Sequence, residues 1–373
     1  MESNWEGFLG RVPVGSDEAL ARAAVWGKRV LITGAGGSIG SAIACAILGG
    51  QPEAVVLLDC SEQALYAINR RIAGLTVPTS VQVIPVVGSV ADRSLLDFLF
   101  RQYRPDLVVH AAAYKHVPLM ELNPFSAMAN NAVATYTLVT AALQYGIQQL
   151  LLVSTDKAVH PTNIMGASKR VAELVVLSHA HSGVLMNVIR LGNVLGSSGS
   201  VVPLFKEQLS RGIPLTITHA EASRYFLTAS EAEAAILRAA KCDHSGRILM
   251  ADCGAPLLIL DLVRHLSKVF AGPRSDETAD QPALQIIGLR PGEKLHEDIV
   301  STVEEREGRS LPGLRIVSSP TPSAHEVAAG MERIATSIRN FDLSEMISAT
   351  LSLVPDYQPS SALQAEATTV GAR

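Results

Sequence analysis

The chain has 373 residues, 48% of them hydrophobic and 18% charged, with a net charge of −4 from 35 acidic and 31 basic side chains. That length can bury a sizeable core, as two domains or as one large α/β unit, and there is no basic excess to neutralise a nucleic-acid backbone. Mean hydropathy is positive, at +0.25, yet no uninterrupted apolar window reaches the roughly 18 residues of a membrane-spanning helix.

Residues 1–27 read as a leader with a short Ala-rich helix near 17–25. The first turn of chain carries Glu2, Trp5 and Glu6 and has no basic start before an apolar stretch, so it does not read as a signal peptide. From Lys28 short β-rich runs alternate with helical stretches. Strand 29–33 precedes helix 38–48, strand 54–59 helix 61–72, strand 81–87 helix 92–103, and strand 107–110 helix 124–144. Runs 149–154 and 184–191 add two strands around a helix over 162–178. Strands that are apolar throughout, joined by helical crossovers, predict an α/β fold. The sheet is then parallel and doubly wound, a Rossmann-type cofactor domain over 28–191. After Leu191 the rhythm changes. Gly192, Gly196 and Gly199 with their serines make a loop, and shorter elements follow at 202–211, 215–218, 230–240, 247–251, 259–270 and 284–287. These predict a smaller C-terminal substrate-binding domain over 192–354. Segment 272–282 reads as a polar loop, and 355–373, without periodicity, as a disordered tail. Cys45, Cys60, Cys242 and Cys253 show neither CxxC nor Cys/His spacing, which predicts reduced thiols, no metal site and a soluble cytoplasmic protein.

The first strand runs into Gly34-Ala35-Gly36-Gly37-Ser38-Ile39-Gly40, and a helix follows. Strand before and helix after is the context that turns a glycine-rich turn into a dinucleotide loop. Gly34 permits the tight turn, Gly37 lets backbone approach a pyrophosphate, and Gly40 lets helix and strand pack closely. The helix N-terminus adds free N–H groups and the positive end of a dipole. Asp59 ends the second strand about 20 residues further on, where a carboxylate accepts ribose hydroxyls and repels a 2′-phosphate. Cys60, Ser61 and Glu62 bring no cation, so NAD is favoured over NADP.

The strand from Gln149 ends in Ser154-Thr155-Asp156-Lys157, the place where open α/β sheets bind ligands. Downstream, Met165 and Lys169 are i and i+4 on one helix face. Taken alone, Met165 is more often a core residue, and an Asp-Lys pair a solvated one.

Several long strings together carry more. TGAGGSIGS, HAAAYKHVPLME, STDKAVHPTNIMGASKR, GNVLGSSGSVVPLF, RYFLT and LRPGEKL resemble the CapD-like polysaccharide biosynthesis family. These are UDP-N-acetylhexosamine 4,6-dehydratases within the extended short-chain dehydrogenases. The resemblance spans Leu9 to about Ile316. Large members carry membrane helices ahead of a cytoplasmic catalytic region. FLGRVPV resembles the leader of that region, so no span is expected here. Short-chain dehydrogenases normally place Tyr at the position of Met165, but many members of this branch have Met.

The resemblance implies a UDP-N-acetylglucosamine 4,6-dehydratase with a tightly bound, recycled NAD. Hydride leaves carbon 4, a base removes the acidified carbon 5 proton, an acid assists loss of the 6-hydroxyl, and hydride returns to carbon 6. Asp156 would be the acid and Lys157 the base, with Thr155, Met165 and Lys169 completing the catalytic set. Lys157 must then be neutral, through burial or a neighbouring positive charge from Lys115 or Lys169. The implied cofactor set is Gly34, Gly37, Ser38, Ile39, Gly40, Asp59, Ser61, Ser89, Val90, Ala111, Ala112, Ala113 and Lys169. The implied substrate set is Lys115, His116, Asn193, Ser198, Val201, Arg224, Arg290 and Glu293. Within it, Arg224 and Arg290 would clamp the diphosphate and Glu293 a ribose hydroxyl. Three positions depart from the family strings: Ala42 for Glu, Ser89 for an Asp that caps the adenine, and Ala134 for Gly. HAAAYKHVP and RYFLT imply retention at carbon 5. The alternatives are an inverting dehydratase, a 4-epimerase, and a catalytically silent NAD binder. The nucleotide sugar is the expected small-molecule partner, and a homo-oligomer is expected.

Overall fold

The computed structural model describes residues 5–76, 78–271 and 283–370, so the segment 272–282, expected as a loop, lies outside the described residues. Nine strands form the main sheet among the described residues. They are β1 (Arg29–Thr33), β2 (Ala54–Asp59), β3 (Gln82–Val87), β4 (Leu107–His110), β5 (Gln149–Thr155), β6 (Leu185–Leu191), β7 (Arg247–Ala251), β8 (Glu305–Leu311) and β9 (Leu314–Ser318). Their order is β8-β9-β7-β6-β5-β4-β1-β2-β3. From β3 to β7 neighbouring strands run parallel, and β9 pairs antiparallel with β7 and with β8. The doubly wound parallel sheet is as expected, and its strand order reverses between β1 and β4. There the C-terminal strand ends open a crevice.

β1, β4 and β5 are apolar because both faces are covered. One face packs against the helices Ser38–Leu48 and Ala229–Ala239, the other against Arg93–Tyr103, Ala134–Tyr145 and Ile164–Leu177. All fourteen residues of the last helix are buried, charged ones included. The helices Ala324–Asn340, Leu343–Leu353 and Ser361–Val370 complete that layer.

Three boundaries differ from the expectation. The sheet does not stop at residue 191, because β7 adds to β6 and brings β9 and β8 with it. The leader is not separate either. Phe8 and Leu9 enter the small core of Phe205, Leu215, Ile217, Phe226 and Leu262, and Asp17 caps the helix Glu18–Val25. The tail, expected to be disordered, is held by buried Tyr357 and Leu363. Ser360 Oγ donates to Glu121 and the Gln358 N–H to Pro161 O (2.9 Å). A few anchors at irregular spacing suffice here, which is why no periodicity announced them.

Under the C-terminal end of β5 lies a buried ion network. Arg190 on β6 makes paired bonds of 2.7–2.8 Å to Glu173 and 2.7 Å to Glu304. Arg170 adds a bond to Glu173 (2.8 Å), and Ser154 Oγ on β5 donates to the same carboxylate (2.7 Å). Burial alone would raise the Glu173 pKa, but Arg190 foremost holds it down to about 2. Removing the guanidinium leaves two buried carboxylates to share Arg170, so Arg190→Ala is expected to cost about 3–5 kcal/mol in denaturant unfolding. Because the Glu173 pKa is depressed on folding, its contribution is complete above about pH 5 and is lost as pH falls toward 2. Acid titration of the folded state should therefore show a flatter stability loss in Glu173→Gln than in the unaltered protein.

Candidate active site

Gly34 follows β1 with φ +66°, and a Cβ there would lie 2.6 Å from the Ala112 backbone. A Cβ on Gly40 would come within 2.0 Å of the Gly34 carbonyl oxygen. Gly36, which the spacing argument passed over, is equally constrained: its Cβ would meet that of Ala64 at 2.5 Å. Gly37 is different. A Cβ there would touch only the Gly34 oxygen, at 3.2 Å, so its bareness leaves room above the helix rather than serving contact within the chain. Gly37 caps the Ser38–Leu48 helix without a side-chain bond, and the first-turn N–H groups of Ser38, Ile39 and Gly40 have no acceptor within the helix.

Asp59 Oδ2 accepts the Gly36 N–H and Oδ1 the Ser61 N–H, each at 2.8 Å, and each oxygen keeps a lone pair for a ribose hydroxyl. Ser61 caps the Glu62–Ala73 helix. Ser89 Oγ accepts the Ala91 N–H (3.1 Å) beside buried Val90. Residues 111–113 follow β4. These positions line the C-terminal edge across β3, β2, β1 and β4, and the uncapped helix with the clearance at Gly37 fits a dinucleotide pyrophosphate.

Thr155 closes β5, and Asp156 and Lys157 form a 3-10 turn. Asp156 is fully buried. Its Oδ1 accepts from Thr155 Oγ1 (2.8 Å) and from Lys157 Nζ (3.0 Å), and its Oδ2 finds no hydrogen-bond partner among the described residues. Lys157 Nζ also donates to Asn193 Oδ1 (2.8 Å) and stands 3.9 Å from Glu297 Oε1. Burial works to lower the Lys157 pKa, but Asp156 and then Glu297 outweigh it, so the ammonium is held above its ordinary value. This corrects the expectation of a lysine neutralised by Lys115 or Lys169: its neighbours are carboxylates, and the opposing cation is Arg224.

Lys169 Nζ donates to Val153 O (2.7 Å), and burial brings its pKa down to about 8, partly offset by Glu173. Met165 is buried on the same helix. Below it, His110 Nδ1 meets Thr33 Oγ1 (2.6 Å), and its Nε2 meets Thr135 Oγ1 (2.9 Å), which itself donates to Asn131 O. Burial and then Lys169 hold the His110 pKa down to about 3, so this ring stays neutral. The helix expected over 124–144 is interrupted by a π-turn at Ala129–Val133. There Asn131 bonds both the N–H and the carbonyl of Tyr114 and the hydroxyl of Ser168, which ties the loop of Lys115 and His116 to the helix Ile164–Leu177.

The substrate-side residues divide. Asn193 is engaged by Lys157. The Ser198 N–H donates to Ser38 Oγ (3.0 Å), and Gly199 packs on His116, so the glycine loop ahead of Val201 lies between the cofactor edge and the 115–116 loop. Arg224, expected at the diphosphate, is buried and turned onto its own chain. Nη1 donates to Ser223 O and Leu295 O, and Nη2 to Lys294 O and Glu293 Oε1. Glu293, expected at a ribose, accepts from Thr218 and from the Arg290 N–H. Arg290 itself is exposed. Gly292 (φ +73°) lies against the loop after Lys157, where a Cβ would come 2.6 Å from that of Asn163. This packing delivers Glu297, a residue the sequence argument missed. Its only signal was its place four residues beyond Glu293.

The profile of the polysaccharide biosynthesis protein family matches residues 30–319. The chain belongs to that family. It is CapD/EpsC-like, within the extended short-chain dehydrogenases. The capsular polysaccharide biosynthesis protein CapD of Staphylococcus aureus is 38% identical over 301 residues, 80% of this chain and 49% of CapD, so the chain spans about half the length of that relative. A UDP-N-acetylglucosamine 4,6-dehydratase (inverting) of Campylobacter jejuni is 30% identical over 74% of this chain and 78% of that protein. Among solved structures, the dTDP-glucose 4,6-dehydratase DesIV of Streptomyces venezuelae, with NAD and TYD bound, shares the fold. Its TM-score is 0.61 at 24% identity, covering 73% of this chain and 88% of DesIV. Structural relatives thus bind NAD, and no helix among the described residues is long and apolar enough to cross a membrane. Calorimetry on cofactor-stripped protein is expected to show NAD⁺ bound more tightly than NADP⁺, with the gap narrowed in Asp59→Ala; a preference for NADP⁺ would remove Asp59 from the ribose.

Proposed function

We propose that the protein dehydrates UDP-N-acetylglucosamine to a UDP-4-keto-6-deoxy-N-acetylhexosamine, with retention at carbon 5, for surface polysaccharide synthesis. The observation that carries this reading is the fully buried carboxylate of Asp156 beside the Lys157 ammonium, 3.0 Å apart at the end of β5. A hydride shuttle alone, as in a 4-epimerase, has no use for such a pair, whereas elimination of a hydroxyl as water needs an acid and a base. NAD, when bound, supplies a hydride acceptor for carbon 4 and a donor for carbon 6, and so is recycled.

The chain's own residues handle the protons. Thr155 Oγ1 already donates to Asp156 Oδ1 at 2.8 Å. A 4-hydroxyl seated on Thr155 passes its proton to that oxygen as Thr155 passes its own to Asp156, a route that takes the place of the phenol absent at Met165. Asp156 then protonates the departing 6-hydroxyl, so the proton lost at carbon 4 leaves in the water. Lys157 takes the carbon 5 proton, and its ammonium, whose other protons come from solvent, delivers one of them to the same face. Lys169 faces the cofactor ribose, while Lys115, His116, Ser198, Val201 and Arg290 surround the nucleotide. Retention is supported by the strings HAAAYKHVP and RYFLT.

An NMR time course with UDP-N-acetylglucosamine in deuterated water tests this directly. The expected product carries deuterium at carbon 5 in the original configuration; the inverted product would overturn retention, and bound NAD without turnover would favour a silent binder. Asp156→Asn is expected to slow elimination by roughly 10²–10⁴-fold and Lys157→Ala to abolish carbon 5 exchange. Arg290→Ala should raise KM for the nucleotide sugar and leave NAD binding unchanged.

A further inference from the structure

Lys157 presents a difficulty that its neighbours resolve. It must reach carbon 5 as a neutral amine, yet Asp156 and Glu297 hold it as an ammonium. Asp156 cannot take its proton, because that carboxylate receives the proton of the 4-hydroxyl. A second buried base is required. Glu297 is 8% exposed, and its Oε1 stands 3.9 Å from Lys157 Nζ and 3.6 Å from Arg224 Nε. Its Oε2 is buried with no hydrogen-bond partner among the described residues. A carboxylate left half-satisfied in such a place is costly in its charged form and ready to accept a proton.

We propose that Glu297 is the positioning base of the reaction, taking the Lys157 proton once Asp156 has been neutralised and so freeing the amine for carbon 5. This rests on the dehydratase reading above. While Asp156 is ionised, it is the principal counter-charge of Lys157. When Asp156 accepts the 4-hydroxyl proton, that counter-charge vanishes and an N–H bond at Nζ gives way to an O–H bond on Glu297. One ammonium and one carboxylate become a neutral amine and a neutral acid, a change favoured where substrate has displaced water. The amine removes the carbon 5 proton as Asp156 discharges into the departing water; the resulting ammonium delivers a proton to the same face of carbon 5, and only then does Glu297 give its proton back to Lys157. The 3.9 Å gap calls for a bridging water or a small side-chain movement. The charged groups facing Glu297 are Lys157 and Asp156 from the end of β5, Arg224 from its short strand, and Lys294 from its own segment. Burial, ahead of these, pushes the Glu297 carboxyl up. Among them Lys157 is the donor placed to hand a proton to Glu297, since Lys294 donates to Val159 O and Asp298.

The test uses Glu297→Gln and Glu297→Asp in the full chain with NAD and UDP-N-acetylglucosamine. In Glu297→Gln, reduction of the bound nicotinamide in a single turnover is expected to persist, while carbon 5 deuterium exchange falls by roughly 10²-fold or more at neutral pH. That exchange should climb about tenfold per pH unit, because solvent must now remove the Lys157 proton. Glu297→Asp should recover exchange with the flat profile of the unaltered protein. Exchange in Glu297→Gln at the unaltered rate and profile would overturn the proposal, and so would equal loss of nicotinamide reduction and exchange in both variants. Absence of exchange in the unaltered protein would overturn the dehydratase reading itself, and this role with it.

Discussion

The arrangement of the site depends on the ion network buried beneath it. Arg190 enters from β6, Glu173 and Arg170 from the helix Ile164–Leu177, Ser154 from β5 and Glu304 from the turn before β8. Two guanidinium groups against two carboxylates leave no net charge, and each is nearly or fully satisfied. That is the condition under which charges persist at less than a tenth exposure. Ser154 precedes Thr155-Asp156-Lys157, Arg170 follows Lys169, and Arg190 lies three residues before Asn193. The network therefore fixes the relative positions of the three chain segments to which the proposed chemistry is assigned. An apolar core would fill the same space, but it would not dictate which turn of the helix faces which strand end.

Above that base, charge is arranged in a second cluster of opposite temper. Asp156 and Glu297 each keep one buried oxygen without a hydrogen-bond partner among the described residues, and Lys157 lies between them. The lower network is saturated and keeps its protons in place. The upper one is unsaturated, so proton positions can change there at little cost in geometry. His110, held neutral between Thr33 and Thr135, supports the floor of the crevice without adding a charge that would disturb the lysines.

The LRPGEKLHE segment shows how far a site can be built from elsewhere in the chain. Its turn is closed by Glu293, its backbone is clasped by Arg224, and Gly292 lets it lie against the loop after Lys157. Arg224 and Glu293 are thus spent on presenting Glu297. Singly they read as ligand contacts; in the fold they are the frame that brings a second carboxylate to the lysine.

The sequence determined the parallel sheet, the glycine loop, Asp59 and the placement of Asp156 and Lys157 at a strand end. Each of these rests on local constraints: hydrophobic period, steric room at a turn, and the chain direction that puts catalytic groups beyond strand termini. The strings from TGAGGSIGS to LRPGEKL carried the family in the same local way. Only the tertiary structure decided the full surroundings of Lys157, because to Asp156, its neighbour in the chain, it adds Glu297, 140 positions away in sequence and 3.9 Å away in space. It also decided the buried tail and the union of the leader with the small core, where a few side chains such as Tyr357, Leu363 and Phe8 act without any period. Periodicity reports which face of an element is covered. It does not report which distant segment covers it, and the protonation of a buried group follows from that second fact.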